Sequence, residues 1–223
     1  MTNSSILKIS RVTGVLFLLS LIVPILNWFF MLSNFFSVQG NTSLEILSNE
    51  LLFRLSIMNE IISAIIIFTL AFFLHLSLKT INSNLSLFAF SLKTAEAFLT
   101  LVLALGHFII LLVIKEDANK IQFIVDVLIG KHIFLTIIPG IFFGLSMVIF
   151  SYIFLKSKYI PRVLAVFGIV SYSLVIIYDS TQMLSPYQAS LLIVQLTGSL
   201  PVCIFQVVVG LWLACKGITI KSK

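Results

Sequence analysis

Six long apolar segments dominate this sequence and restrict what it can fold into. Each exceeds the roughly 20 residues that a helix needs to cross a hydrocarbon core about 30 Å thick. A helix also satisfies its own backbone N–H and C=O groups, as the bilayer interior requires. The connections are short, so we expect a single transmembrane domain over residues 1–223. The sequence therefore predicts an all-α polytopic membrane protein, a bundle of six transmembrane helices at approximately residues 12–36, 51–78, 85–114, 127–155, 161–183 and 191–215.

The composition argues against a water-soluble fold. Hydrophobic residues make up 60% of the chain and charged residues only 10%, whereas soluble domains carry roughly 25% charged residues. The net charge of +6 is spread over short loops and is not gathered into the basic stripe that is typical of nucleic-acid binding. We therefore expect the lipid bilayer as the partner of this surface, and no nucleic acid.

The distribution of lysine and arginine predicts the orientation of the chain in the membrane. With the N-terminus inside, ten basic residues fall on the cytoplasmic side and four on the outer side, as the positive-inside rule expects. Most acidic residues, with Asp179 among them, are assigned to the outer side. Both termini are therefore predicted to be cytoplasmic. The cytoplasmic set is Lys8, Arg11, Lys79, Lys93, Lys156, Lys158, Arg162, Lys216, Lys221 and Lys223, and the outer set is Arg54, Lys115, Lys120 and Lys131.

Ionisable residues inside a span are costly and are candidates for function. Glu60 lies in the second predicted helix, and Glu96 in the third. His107 follows Glu96 by eleven residues, which corresponds to about 16 Å along a helix axis and brings it nearly to the depth of Glu60. Because a short loop joins these helices, we predict that they are antiparallel neighbours and that Glu60 contacts His107.

Further polar residues complete a candidate site within the membrane. Lys93 precedes Glu96 by three residues, a spacing that puts both on one helix face, and Gln206 of the sixth helix lies at a similar depth. One interpretation is structural, in which buried polar groups satisfy one another. The other is a proton or ion relay, or a cavity for a polar substrate. The candidate residues are Glu60, Glu96, Lys93, His107, Asn27, Asn59 and Gln206.

Prolines and glycines indicate where helices bend or approach closely. Pro24, Pro139 and Pro201 are expected inside the first, fourth and sixth helices, where each removes one backbone hydrogen bond. Gly140 and Gly144 form a G-x-x-x-G face that lets another backbone approach. This face predicts packing within the bundle or, alternatively, a homodimer.

Enzymatic and cofactor signatures are weak in this sequence. His75 and His107 differ in depth by roughly 25–30 Å, which does not suit a haem held between two histidines. Ser146 lacks the second glycine of a nucleophile elbow. Cys203 and Cys215 are about 18 Å apart on a helix, and no Cys/His cluster has the spacing of a metal site. We expect no cofactor and no metal, and we favour a non-enzymatic protein; the alternative is an intramembrane enzyme or redox protein using the buried polar residues.

Four short segments resemble the pattern of a bacterial membrane family, the domain of unknown function 4386 (DUF4386). Residues 84–97 (NLSLFAFSLKTAEA) are similar to its N-x-x-L-A-x-x-x-x-R-x-x-E-A stretch, with Phe88 in place of alanine and Lys93 in place of arginine. Residues 157–162 (SKYIPR), followed by Gly168 and Tyr172, resemble its S-x-Y-[LI]-P-R loop. Residues 211–217 (LWLACKG) resemble its L-W-L-x-x-K-G ending, and residues 52–54 (LFR) its L-F-R start.

The resemblance implies six helices in a bacterial inner membrane and no assigned activity. Combined with the polar residues above, it leads us to expect a multi-pass membrane protein of unknown function, namely a small transporter, a sensor or a subunit of a membrane complex.

Overall fold

The computed structural model describes residues 3–32, 35, 42–116, 135–185 and 192–218, and no strand occurs within these ranges. Six of its seven helices, all but the short α2, are long and apolar enough to cross a membrane. The predicted all-α architecture with six spans is therefore confirmed. The helices are α1 (Asn3–Asn27), which continues as a π-helical turn (Trp28–Leu32), α2 (Thr42–Ser48), α3 (Glu50–Leu78), α4 (Ser83–Glu116), α5 (Ile137–Ser157), α6 (Arg162–Leu184) and α7 (Leu192–Cys215).

Two helix starts differ from the sequence prediction. The first helix begins at Asn3 and not near residue 12, because a helix continues through polar residues outside the apolar stretch that marks the membrane. The predicted start of the fourth span, residues 127–134, lies outside the described residues. The structure shows α5 beginning at Ile137. Pro139 therefore lies in the first turn, and the prediction that it lies in the interior of the helix is wrong. The N–H groups of a first turn have no helical partner, so a proline disrupts nothing there.

The six spanning helices form a closed ring. Each spanning helix packs against the spanning helices before and after it in the chain, and α7 packs against α1. The α1–α7 contact is continued beyond the end of α7, where the backbone N–H of Ile218 donates a hydrogen bond to Ser10 Oγ at 2.9 Å. A ring of this kind encloses a space to which every helix can contribute side chains.

Apolar clusters fill the two ends of the ring. The larger cluster surrounds Phe17, Phe150, Phe154 and Phe205, and a smaller one at the opposite end surrounds Phe53 and Leu111. The outward faces carry exposed residues such as Leu, Ile, Val and Phe, which is consistent with contact to lipid tails.

The G-x-x-x-G face of α5 has a partner within the chain. A Cβ atom added to Gly144 would meet Ile176 and the carbonyl oxygen of Tyr172 on α6, and one added to Gly140 would meet the carboxylate of Asp179. The two glycines thus let α5 and α6 approach closely. Packing within the bundle, one of the two predicted roles, accounts for both positions.

Candidate functional site between the helices

A central cleft of about 370 Å³ lies inside the helix ring and receives residues from all six spanning helices. Its walls are mostly apolar. A second cleft of about 440 Å³ adjoins it, between α1, α3, α4 and the start of α5. The clefts share the wall residues Pro24, Ile25, Ile67, Thr100 and Pro139.

A buried ion pair on α4 lines the central cleft. Lys93 Nζ donates hydrogen bonds to both carboxylate oxygens of Glu96, at 2.8 and 3.1 Å. The same ammonium group lies 4.3 Å from the centroid of the Phe143 ring, a cation–π contact. Lys93 is 1% exposed, so the predicted pair is present. Lys93 was counted among the ten basic residues of the cytoplasmic side; because it is buried within the bundle, nine remain as loop or terminal residues that can favour that side.

Asp179 is a cleft residue that the sequence reasoning missed. It lies near the C-terminal end of α6 and was therefore counted with the acidic residues of the outer side, but it is only 8% exposed and lines the central cleft. Its carboxylate makes no hydrogen bond or ion pair with any other residue that the structure describes. The spacing of residues along α6 could have indicated it. A single helix face follows the pattern i, i+4, i+7, i+11, which is the spacing of Gly168, Tyr172, Val175 and Asp179. All four residues are buried.

The remaining amides differ in their surroundings. Gln206 is buried and lines the central cleft. Asn27 is buried beside the second cleft, and its Oδ1 atom has no hydrogen-bond partner among the residues described. Asn59 is half-buried and lines neither cleft. Its backbone carbonyl oxygen accepts a hydrogen bond from Ser63 Oγ at 2.8 Å.

The predicted contact between Glu60 and His107 is present. His107 Nδ1 and Glu60 Oε2 are 2.9 Å apart across α3 and α4, and both residues are buried. The imidazole also packs edge-on against the Phe53 ring, with the centroids 5.9 Å apart. Glu60 lines the second cleft. The short connection between α3 and α4 thus brings the two residues to the same depth, as their spacing indicated.

One face of α4 connects these groups. Glu96, Thr100 and His107 are separated by four and seven residues, which puts them on one side of a helix over about 16 Å. Thr100 lines both clefts, and its hydroxyl donates to the backbone carbonyl of Glu96 at 3.0 Å. The arrangement offers carboxylates, an ammonium and amides to a small molecule with apolar surface. Within the described ranges no three His, Cys, Asp or Glu side chains converge as metal ligands would.

Comparison with protein families identifies one match. The family model described as a domain of unknown function, DUF4386, covers residues 12–217. Neither curated proteins nor solved structures give a match to this chain. The family match spans all six membrane helices and includes every segment that carries the resemblance described above. The chain therefore belongs to the DUF4386 family, and it has six helices that are long and apolar enough to cross a membrane.

Proposed function

We propose that this chain is a non-enzymatic carrier of small solutes in the bacterial inner membrane and that it binds its solute in the central cleft. The supporting observation is the cleft itself, to which all six spanning helices contribute and which contains Lys93, Glu96 and Asp179. Ionisable groups are rare at membrane depth and usually face a pathway or a binding site. Both termini are cytoplasmic in this proposal, because the basic residues of the loops favour that side.

The charges around the cleft favour a solute that carries an amine. The Lys93 ammonium is engaged by both oxygens of Glu96, whereas the Asp179 carboxylate has no such partner among the described residues. A buried carboxylate without a partner is unfavourable in an apolar environment, and an amine would supply hydrogen bonds and charge. The apolar walls would hold the hydrocarbon part of such a solute.

The Glu60–His107 pair fits a role in proton coupling. It lies beside the second cleft, on the same face of α4 as Glu96. Carboxylates and histidines at membrane depth are the groups that proton-coupled carriers use. In this proposal the pair gains or loses a proton as the solute moves between the two clefts.

The native Cys203 permits a direct test, because it lines the central cleft and is half-buried. We would use the variant Cys215→Ser in vesicles of known orientation and add a membrane-impermeant methanethiosulfonate reagent from either side. A carrier exposes its binding site alternately to both sides, so we expect Cys203 to react from both. The control is Cys203→Ser, in which the exposed Cys215 at the end of α7 should react from one side only.

The charge of the reagent tests the solute class. A cationic reagent should modify Cys203 several-fold faster than an anionic one of similar size, and Asp179→Asn should reduce this preference. Labelling of Cys203 from one side only would contradict the carrier and favour the alternative, an enzyme or sensor with a site open to that side. No labelling from either side would leave a structural role for the buried polar residues.

A further inference from the structure

A basic pocket of about 360 Å³ lies at the end of the bundle where α5 ends, α6 begins and α7 ends. Residues 158–162 form one wall, and Trp212, Lys216 and Gly217 form the other. These are parts of two segments that carry the family resemblance, and although they are far apart in the chain they meet in one pocket. The pocket shares no residue with the central cleft.

The pocket is strongly positive. Lys158, Arg162 and Lys216 all line it, and none of its lining residues is acidic. All three are exposed, and none forms an ion pair with another residue in the described part of the chain. Like charges brought together without acidic partners repel one another, and an anion would relieve that repulsion.

The backbone holds both walls in place. Lys158 has a left-handed conformation (φ 58°), and its N–H donates to the carbonyl oxygen of Phe154 at 3.1 Å. Ile160 is 2% exposed and anchors this loop in the larger apolar cluster. On the other wall, the N–H of Gly217 donates to the carbonyl oxygen of Leu213 at 3.1 Å. A site whose walls are already ordered loses less entropy when it binds a ligand.

Aromatic residues put the pocket at the level of lipid headgroups. Tyr159 and Trp212 line it, and tyrosine and tryptophan are enriched at the membrane–water interface. Lys216 Nζ lies 4.4 Å from the centroid of the Trp212 ring, which directs the ammonium along the pocket wall. The guanidinium of Arg162 can bind a phosphate through two parallel hydrogen bonds.

We propose that this pocket binds a phosphate group, carried either by an anionic phospholipid of the adjacent leaflet or by soluble phosphate. Three cations complement the negative charge of a phosphate, and the guanidinium among them can bind two of its oxygens. The volume of about 360 Å³ leaves room for a headgroup beyond the phosphate itself.

The test measures the thermal stability of the purified full chain in a neutral detergent. The ligands are phosphatidylglycerol, phosphatidylcholine and inorganic phosphate, each titrated at constant ionic strength. A ligand that binds only the folded state raises the unfolding temperature in a saturable way. We expect phosphatidylglycerol to do so most strongly.

Variants then test whether the pocket is responsible. The double variant Arg162→Gln/Lys216→Gln removes two charges from the pocket. The loss of each charge should weaken the apparent affinity for phosphatidylglycerol about fivefold. The matched control is Lys79→Gln/Lys156→Gln, which removes two exposed charges from the same end of the bundle but outside the pocket. Lys158→Gly is a further pocket variant, since glycine adopts the left-handed conformation without strain; it should retain the basal stability and still lose affinity.

The outcomes separate the sources of the phosphate. A selective effect of phosphatidylglycerol that is lost in the pocket variants assigns the site to a lipid. A selective effect of inorganic phosphate that is lost in the same variants assigns it to a soluble ligand. The proposal would be overturned if the pocket and control variants lost the same amount of affinity. It would also be overturned if neither phosphatidylglycerol nor inorganic phosphate raised the unfolding temperature of the wild type.

Discussion

At the scale of single residues, the buried charged side chains differ in where their ion-pair partners lie. Lys93 and Glu96 are three residues apart on one helix, so the helix alone brings them together. Glu60 needs His107 from the neighbouring helix. Asp179 has no ion-pair partner among the residues described. The first pair should therefore be a permanent part of the fold, while Asp179 is the charge most open to a ligand.

We predict that removing one member of the Lys93–Glu96 pair strongly destabilises the protein. Lys93→Met leaves the Glu96 carboxylate buried without compensation, which costs about 3–5 kcal/mol. The double variant Lys93→Met/Glu96→Gln removes both charges and should recover part of this loss. The measurement is the unfolding temperature in detergent.

A surface pair provides the matched control for this experiment. Arg54 Nε is 2.6 Å from Glu50 Oε1, which Lys115 Nζ also contacts at 2.7 Å, and all three side chains are partly exposed. Arg54→Met should lower the free energy of unfolding by only about 0–1 kcal/mol. If the losses of Lys93→Met and Glu96→Gln simply added in the double variant, the two groups would not interact.

At the scale of helices, small residues set the contact that closes the ring. A Cβ atom on Gly14 of α1 would meet the backbone of Gly210 and Ala214 on α7, and one on Gly210 would meet Leu18 and the Gly14 carbonyl oxygen. Gly210 and Ala214 have the small-x-x-x-small spacing that permits close helix packing. The spacing of Gly210 and Ala214 can be read from the sequence. Only the contact with Gly14 in the structure shows that the helix packed against them is α1.

We predict opposite effects for two glycine-to-alanine substitutions. Gly14→Ala must push α1 away from the α7 backbone, and overpacking of this kind costs about 1–3 kcal/mol. Gly106→Ala should stabilise the protein by about 0.5–1 kcal/mol, because its Cβ meets no atom within 4 Å and alanine favours the helix.

Thermal unfolding of both variants in the same detergent would measure the difference. A Gly14→Ala variant as stable as the wild type would mean that α1 and α7 are not closely packed in solution.

At the scale of the whole molecule, the six helices form a closed ring with two distinct ends. The described basic residues of one end are Lys8, Arg11, Lys79, Lys156, Lys158, Arg162 and Lys216, and those of the other end are Arg54 and Lys115. This asymmetry supports the proposed cytoplasmic location of the first end.

We predict that the two ends are labelled from opposite sides of the membrane. In a variant without native cysteines (Cys203→Ser/Cys215→Ser), Lys158→Cys should react with an impermeant maleimide only from the cytoplasmic side. Ser48→Cys, on the short helix α2, should react only from the outer side. Reaction of both from the same side would be incompatible with the arrangement of the spans.

The sequence by itself determined the number of spans, their order and the residues that can carry charge within them. Those features depend on length, on composition and on the fixed rise of a helix, which is why the Lys93–Glu96 pair and the shared depth of Glu60 and His107 were predictable. Distances along an axis follow directly from residue numbers.

The tertiary structure alone decided how each helix is rotated about its axis. In a soluble protein an apolar stripe reveals the buried face, but here both the lipid-facing and the inward-facing sides are apolar, so the pattern carries little information on rotation. That is why the cleft could not be located and why the basic pocket joining residues 158–162 to Lys216 was unforeseen. Close packing at small residues restricts these rotations, at Gly14 and Gly210 between α1 and α7 and at Gly140 and Gly144 between α5 and α6.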